Sequence, residues 1–242
     1  MTPVQGAECG VRIGSGRGRR RLAAAAVLLG ALGAAGAAAG GDAKAVAPAA
    51  RATAASQEAV RRGDEMIRDG RFQEAAAFLR EAAARHPRDP MLPFTLAAAL
   101  VRLRDFDGAI VAYRAGLALA PNSLIARRGL ASAQRRKGDL AAARATLDAL
   151  WRDAPSFRPA GEDLAEVMAM QGERAGAIQI YRHLIDTHMG AEDRHLAALH
   201  AGLAKVLEAE GDRPGALAAN REALRIDPKH APAQAAVKRL SR

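Results

Sequence analysis

The sequence predicts an all-α fold, an α-solenoid built from five stacked helical hairpins and a C-terminal capping helix. Small residues return with a period of 34 residues, at Ala75, Ala109, Ala143 and Ala177. Proline keeps the same period, at Pro87, Pro121 and Pro155. A fixed period of this length is typical of stacked helical hairpins. A fifth copy, with Ala216 and Pro228, follows a short insertion.

Proline placement supports the helices independently, because proline inside a helix costs about 3 kcal/mol. Four prolines lie between repeats, at Pro87, Pro121, Pro155 and Pro228. Five more fall where a first helical turn is expected, at Pro90, Pro93, Pro159, Pro214 and Pro232. The first turn tolerates proline because its N–H groups have no partner within the helix.

The repeat resembles the tetratricopeptide repeat, in which two helices cross closely at small residues in the eighth and twentieth positions. The eighth position holds Gly63, Ala97, Ala131, Ala165 and Ala204, and the twentieth holds the periodic alanines. The turn between the helices carries Gly70, Gly138, Gly172 and Gly211. The resemblance implies a right-handed solenoid with repeats at 56–89, 90–123, 124–157, 158–191 and 197–230, capped by a helix at 231–242.

Some positions depart from the family pattern. Arg104 stands where the turn glycine is usual, Met189 where proline is usual and Asn220 where an aromatic residue is usual. The first and fifth repeats match least well. This fits the ends of a solenoid, where one face meets solvent instead of a neighbouring repeat.

The segment before the repeats has the composition of an export signal. Four arginines, Arg17, Arg19, Arg20 and Arg21, precede an uncharged run at 22–41 that is rich in Ala, Leu and Gly. A basic cluster followed by an apolar run and small residues is typical of a secretory signal. We therefore predict a signal peptide or membrane anchor at 1–47 and a linker at 48–55. The expected location is the periplasm, or the inner membrane if 22–41 remains uncleaved.

Composition narrows the classes of partner. The net charge of +10 is moderately basic, but aromatic residues make up only 3% of the chain, and no nucleic-acid motif is present. We expect no nucleic-acid partner, and contact with a membrane only through an uncleaved N-terminal segment. The single cysteine, Cys9, precedes the apolar run, so a processed chain would contain no thiol and would be compatible with an oxidising compartment.

The resemblance also indicates which residues face the concave groove lined by the first helix of each hairpin. These candidate partner-binding residues are Phe94, Arg102, Arg128, Arg135, Arg136, Glu162 and Glu166. The Lys and Asn residues of the family's peptide clamp are absent at the matching positions. Arg128 and Arg135 could instead grip carboxylates or phosphates, and Phe94 could anchor an apolar side chain. The alternative is that these are ordinary surface arginines and a packed aromatic ring.

The sequence gives little support for metal binding or catalysis. Four histidines, His183, His188, His195 and His200, lie around the insertion, but spacings of five and seven residues do not put pairs on one helical face. We expect helix-end or solvent-facing histidines and no metal or cofactor. No nucleophile elbow, phosphate-binding loop or zinc-protease motif is present in the repeats, so we predict no enzymatic activity.

The sequence thus predicts a non-catalytic scaffold of the cell envelope that binds a protein or peptide in its concave groove. Two alternatives remain. One is a peripheral binder of an anionic polymer or membrane surface. The other is an accessory subunit of an envelope assembly complex, such as one for polysaccharide export, pilus formation or cytochrome maturation.

Overall fold

A computed structural model describes residues 43–189 and 193–242, and within these ranges the chain is entirely helical. The helices are α1 Ala43–Arg68, α2 Phe72–Arg85, α3 Met91–Arg102, α4 Phe106–Leu119, α5 Leu124–Lys137, α6 Leu140–Asp153, α7 Arg158–Met170, α8 Arg174–Asp186, α9 Arg194–Glu210, α10 Arg213–Ile226 and α11 Ala231–Leu240.

Each odd-numbered helix from α1 to α9 forms a hairpin with the even-numbered helix that follows it, and α11 packs on α10. Neighbouring hairpins touch through α2 and α3, α4 and α5, α6 and α7, and α8 and α9. The odd-numbered helices also approach one another, α1 with α3, α3 with α5 and α7 with α9. They form the inner layer of the array. The all-α solenoid of five hairpins with a capping helix is therefore confirmed.

Turn chemistry sets where the helices begin and end. The side chains of Asp105, Asp139 and Asp212 accept backbone N–H bonds at the starts of α4, α6 and α10. These bonds satisfy donors that have no partner within the helix. Gly138 and Gly211 end α5 and α9 in the left-handed conformation, with φ of 94° and 95°. Glycine adopts this conformation without the steric cost of a Cβ atom.

The two helices of each hairpin cross where the sequence places its smallest residues. Each of the periodic alanines in the twentieth position is fully buried, and so are Ala97, Ala165 and Ala204 in the eighth. At Gly63 a Cβ atom would lie 2.6 Å from Cδ2 of Leu79. A larger residue at these crossings would push the helices apart.

Leucines fill the space around the crossings, with Leu79, Leu92, Leu147, Leu150, Leu184 and Leu199 almost completely buried. All of these except Leu150 belong to two large core clusters. One cluster extends from Met66 to Ala133 and the other from Ala131 to Leu240, so both include residues of α5.

The N-terminal boundary differs from the prediction. Residues 48–55 were expected to form a linker, but all of them, including Pro48, lie within α1. The alanine-rich sequence favours this continuation, because alanine has the highest helix propensity. The expected leader lies outside the described residues apart from 43–47, which begin α1. Within the described ranges, no helix is both long and apolar enough to span a membrane.

The insertion before the fifth repeat changes where the first helix of that repeat begins. We predicted that this repeat begins at residue 197, but α9 already begins at Arg194 and extends to Glu210. Asp193 caps it by accepting the N–H groups of His195 and Leu196. The inserted residues thus lengthen an inner helix at its N-terminus.

Candidate partner-binding surface

The inner layer exposes apolar side chains at three points. Met91 at the start of α3 is 50% exposed, Ile125 at the start of α5 is 72% exposed, and Met170 at the end of α7 is 56% exposed. Met91 and Ile125 occupy the same repeat position on successive inner helices. Exposed apolar residues that recur along one face are stronger evidence of a binding surface than a single exposed hydrophobic residue.

Phe94 does not extend freely into the groove. Its ring occupies the space that a Cβ atom of Gly116 in α4 would fill, so it packs inside its own hairpin. The side chain is only partly exposed. The expectation of an exposed aromatic anchor at Phe94 is wrong, because the glycine in the partner helix provides a slot for the ring.

Four charged residues of the inner layer form ion pairs between α5 and α7. Nε of Arg128 donates to the carboxylate of Asp163 at 2.6 Å, and Arg135 pairs with Glu166. The hydrogen bond to Asp163 raises the pKa of Arg128 above its usual value. Arg128, Arg135 and Glu166, three of the predicted binding residues, are therefore engaged within the protein. They join the third repeat to the fourth.

Glu162 lies at the next inner-layer contact, between α7 and α9. Its Oε1 atom is buried and 3.3 Å from Nε2 of His195. Burial raises the pKa of Glu162, and the neighbouring histidine opposes this effect. Burial, with the nearby carboxylates of Glu166, Glu162 and Asp163, also raises the pKa of Tyr181 to about 12. This end of the inner layer is thus occupied by internal polar contacts.

The two remaining candidates, Arg102 and Arg136, line one cavity of about 350 Å³. Val101, Arg104 and Phe106 complete its lining. Arg102 lies at the end of α3, Arg136 in the last turn of α5, and Arg104 in the turn between α3 and α4. Sequence reasoning treated Arg104 only as a departure from glycine. That departure is the sequence signal that singles out this turn from those of the other hairpins.

The histidines near the insertion differ in their environment. The side chain of His188 is only 9% exposed and its Nε2 atom lies 3.5 Å from Oδ1 of Asp193. The His188 and His195 rings are 5.8 Å apart between centroids. Burial lowers the pKa of His200. His188 directly follows the C-cap of α8, so it is a helix-end histidine as expected, and its Nδ1 atom lies 3.5 Å from a guanidinium nitrogen of Arg158.

Metal ligation finds no support in the described ranges, where no group of three or more His, Cys, Asp or Glu side chains is arranged to hold an ion.

A protein-family model described as tetratricopeptide repeat matches residues 100–165. This segment includes the turn at Arg104, all of α4 to α6 and the start of α7. The match shows that this segment is similar to tetratricopeptide repeats. No curated protein matches the chain.

Solved structures share the fold at low sequence identity. PilF of Pseudomonas aeruginosa is 17% identical with a TM-score of 0.64, and the match covers 78% of this chain and 84% of that one. The tetratricopeptide protein TTC0263 of Thermus thermophilus is 23% identical with a TM-score of 0.56. The match covers 77% of this chain and 98% of that one. YrrB, described as a tetratricopeptide protein with an unusual peptide-binding site, is 14% identical with a TM-score of 0.59. The match covers 74% of this chain and 90% of that one. These similarities show the fold.

Proposed function

We propose that the chain is a non-catalytic scaffold of the cell envelope that binds a partner protein or peptide on its inner layer. The observation that carries this proposal is the exposure of Met91 and Ile125 at equivalent positions of successive inner helices. Exposed apolar residues that recur on a concave surface offer a partner both hydrophobic contact and a fixed register. YrrB, which shares the fold, has a described peptide-binding site, and a peptide is the kind of ligand proposed for this chain.

The inner layer is also well suited to binding because part of it is held in place before a partner arrives. The ion pairs from Arg128 to Asp163 and from Arg135 to Glu166 connect consecutive inner helices. A surface that is already ordered loses less conformational entropy on binding. These pairs therefore favour binding indirectly, by fixing the spacing of α5 and α7.

Site-specific photo-crosslinking tests the inner-layer proposal. A photoreactive amino acid replaces Ile125 on the inner helix α5 or, as the matched control, Val111 on the outer helix α4. The two residues are 72% and 66% exposed, so they are similarly accessible. We expect a discrete crosslinked product from position 125 in intact cells and none from position 111. Equal products from both positions, or none from position 125, would contradict an inner-layer partner site.

The envelope location rests on the arginine cluster and the apolar run at 22–41. A fusion of residues 1–55 to a reporter enzyme that is active only outside the cytoplasm should show activity, because this arrangement is typical of export signals. The control fusion lacks 22–41 and should be inactive. Activity from neither fusion would refute the location while leaving the binding proposal open to the crosslinking test.

A further inference from the structure

We propose that the cavity lined by Val101, Arg102, Arg104, Phe106 and Arg136 binds an acidic peptide segment, with side-chain carboxylates held by the three guanidinium groups. This inference rests on the proposed scaffold function and names the chemistry of its partner. The cavity, called the arginine cavity below, has a volume of about 350 Å³. That is at the lower end of the range for ligand pockets and can accept a few side chains, but not a folded domain.

The arginine cavity lies where the second repeat meets the third. Arg102 comes from the end of the inner helix α3, and Arg136 from the last turn of the inner helix α5. Arg104 and Phe106 come from the turn that leads into α4 and from the first residue of that helix. Two consecutive repeats therefore build the site together, and it opens at the edge of the inner layer.

The cations of the cavity differ from their neighbours in having no carboxylate partner. Arg135 is paired with Glu166, and Lys137 is paired with Asp107 at 2.6 Å. Asp105 accepts the N–H of Gly108 at the start of α4. In the described part of the chain, none of the three cavity arginines makes an ion pair. Three cations around one cavity without an internal counter-charge form a site for an external anion.

Arg102 is also oriented for binding. Its guanidinium carbon lies 4.5 Å from the centroid of the Phe72 ring. A guanidinium group held over an aromatic ring is attracted to the ring face and can still donate N–H bonds to a carboxylate. The geometry is suited to bidentate contact with a carboxylate and reduces the entropy that the side chain loses on binding.

Arg104 is held in a conformation that is unfavourable for its residue type. Its φ is 62°, and the equivalent turns of the other four hairpins contain glycine with φ between 79° and 95°. A left-handed conformation is costly for a residue with a Cβ atom. Backbone strain of this kind is concentrated at functional sites, where the side chain serves a purpose that glycine cannot. Here the side chain adds the third cation to the cavity.

The apolar part of the lining favours a peptide over a small anion or a lipid surface. Val101 and Phe106 line the cavity with the arginines, so the occupant needs apolar atoms beside its negative charge. A free phosphate ion would leave these two side chains without a partner. A lipid surface is the other source of negative charge, and the vesicle arm of the test below distinguishes it from a peptide. A peptide with carboxylates on either side of an apolar residue satisfies both parts of the lining.

Fluorescence anisotropy with the full chain tests the proposal. The probe is a labelled twelve-residue peptide of Glu-Glu-Leu repeats, and the matched peptide has Gln in place of every Glu. We expect the Glu peptide to bind and the Gln peptide to bind at least about ten-fold more weakly. Loss of one charge-assisted contact is commonly equivalent to a ten-fold change in Kd or more. Two variants should each weaken binding of the Glu peptide at least about ten-fold. One is the double variant Arg102→Gln with Arg136→Gln, and the other is the single variant Arg104→Gly.

Arg104→Gly also shows that the loss is not caused by unfolding. Because glycine relieves the left-handed strain, we expect the Tm of this variant to rise by about 2 to 4 °C. The charge control is Arg221→Gln, which removes an exposed arginine from α10, far along the chain from the cavity. It should bind the Glu peptide as the parent chain does. Higher stability combined with weaker binding is a result that a purely structural role of Arg104 would not produce.

Several results would overturn the proposal. It fails if the Glu peptide binds the parent, the cavity variants and Arg221→Gln with the same Kd, or if the Gln peptide binds equally well. It also fails if inorganic phosphate or vesicles containing phosphatidylglycerol bind in a cavity-dependent manner and the peptide does not. Retained crosslinking at position 125 in such a case would show that only the cavity assignment is wrong. Absence of a crosslinked product from position 125 would instead overturn the scaffold function.

Discussion

Ala143→Phe is expected to lower the free energy of unfolding by about 1 to 3 kcal/mol, the usual cost of overpacking a close-packed core. Ala143 is fully buried where α6 crosses α5, and Ala131 on the facing helix is 1% exposed. A phenyl ring at this crossing must displace the backbone or neighbouring leucines, because Ala143 is completely enclosed by its neighbours. Chemical denaturation followed by circular dichroism measures the effect.

The matched control is Ala145→Phe, which adds the same ring to an exposed position of the same helix. Its free energy of unfolding should stay within about 0.5 kcal/mol of the parent value, as is usual for surface substitutions. If the two variants are equally stable, the two helices do not cross at residue 143, and the repeat register is wrong.

The double variant Arg128→Glu with Arg135→Glu should be less stable than the parent by about 1 to 2 kcal/mol. Exposed ion pairs contribute roughly 0.2 to 1 kcal/mol each, and reversal replaces attraction with repulsion. The new glutamates would face Asp163 and Glu166, with Glu162 close by. Because both arginines pair with carboxylates of α7, their reversal affects the array itself as well as any partner.

Salt dependence separates the electrostatic cause from a packing defect. Added salt should recover part of the lost stability, because it screens exposed charges. The control, Arg128→Gln with Arg135→Gln, removes both pairs without adding repulsion and should lose less stability than the reversal. Equal stability of the reversed and neutral variants at low salt would mean that the two ion pairs do not hold α5 against α7.

The fold could be predicted from the sequence because its causes are local and repeated. In the repeats, close helix crossings require small residues, left-handed turns favour glycine, and prolines lie between helices or in first turns, so each constraint recurs with the same period. The N-terminal boundary could not be predicted in the same way. Residues 48–55 lack the repeat signal but are alanine-rich, and helix propensity extends α1 through them.

The candidate site was only partly predictable, because the face on which a side chain lies does not identify its partner. Arg128 and Arg135 were assigned to the inner layer, but their carboxylate partners lie on the next inner helix and are separated by about one repeat in sequence. Comparing residues one period apart would have suggested these pairs. Phe94 was misassigned because Gly116, an isolated glycine inside a helix, was not recognised as a slot for its ring.

The two core clusters meet in α5, and this has a consequence for how the array comes apart. Leu130 and Ala133 belong to the N-terminal cluster and Ala131 to the C-terminal one. A repeat array is held together by contacts between neighbours, so its cooperativity depends on each junction. Helix α5 thus contributes to both clusters, and we expect it to be the boundary between two parts of the array that open separately. In a hydrogen-exchange experiment, the backbone amides on the two sides of this boundary should exchange at different rates. Each half would be able to open while the other remains protected.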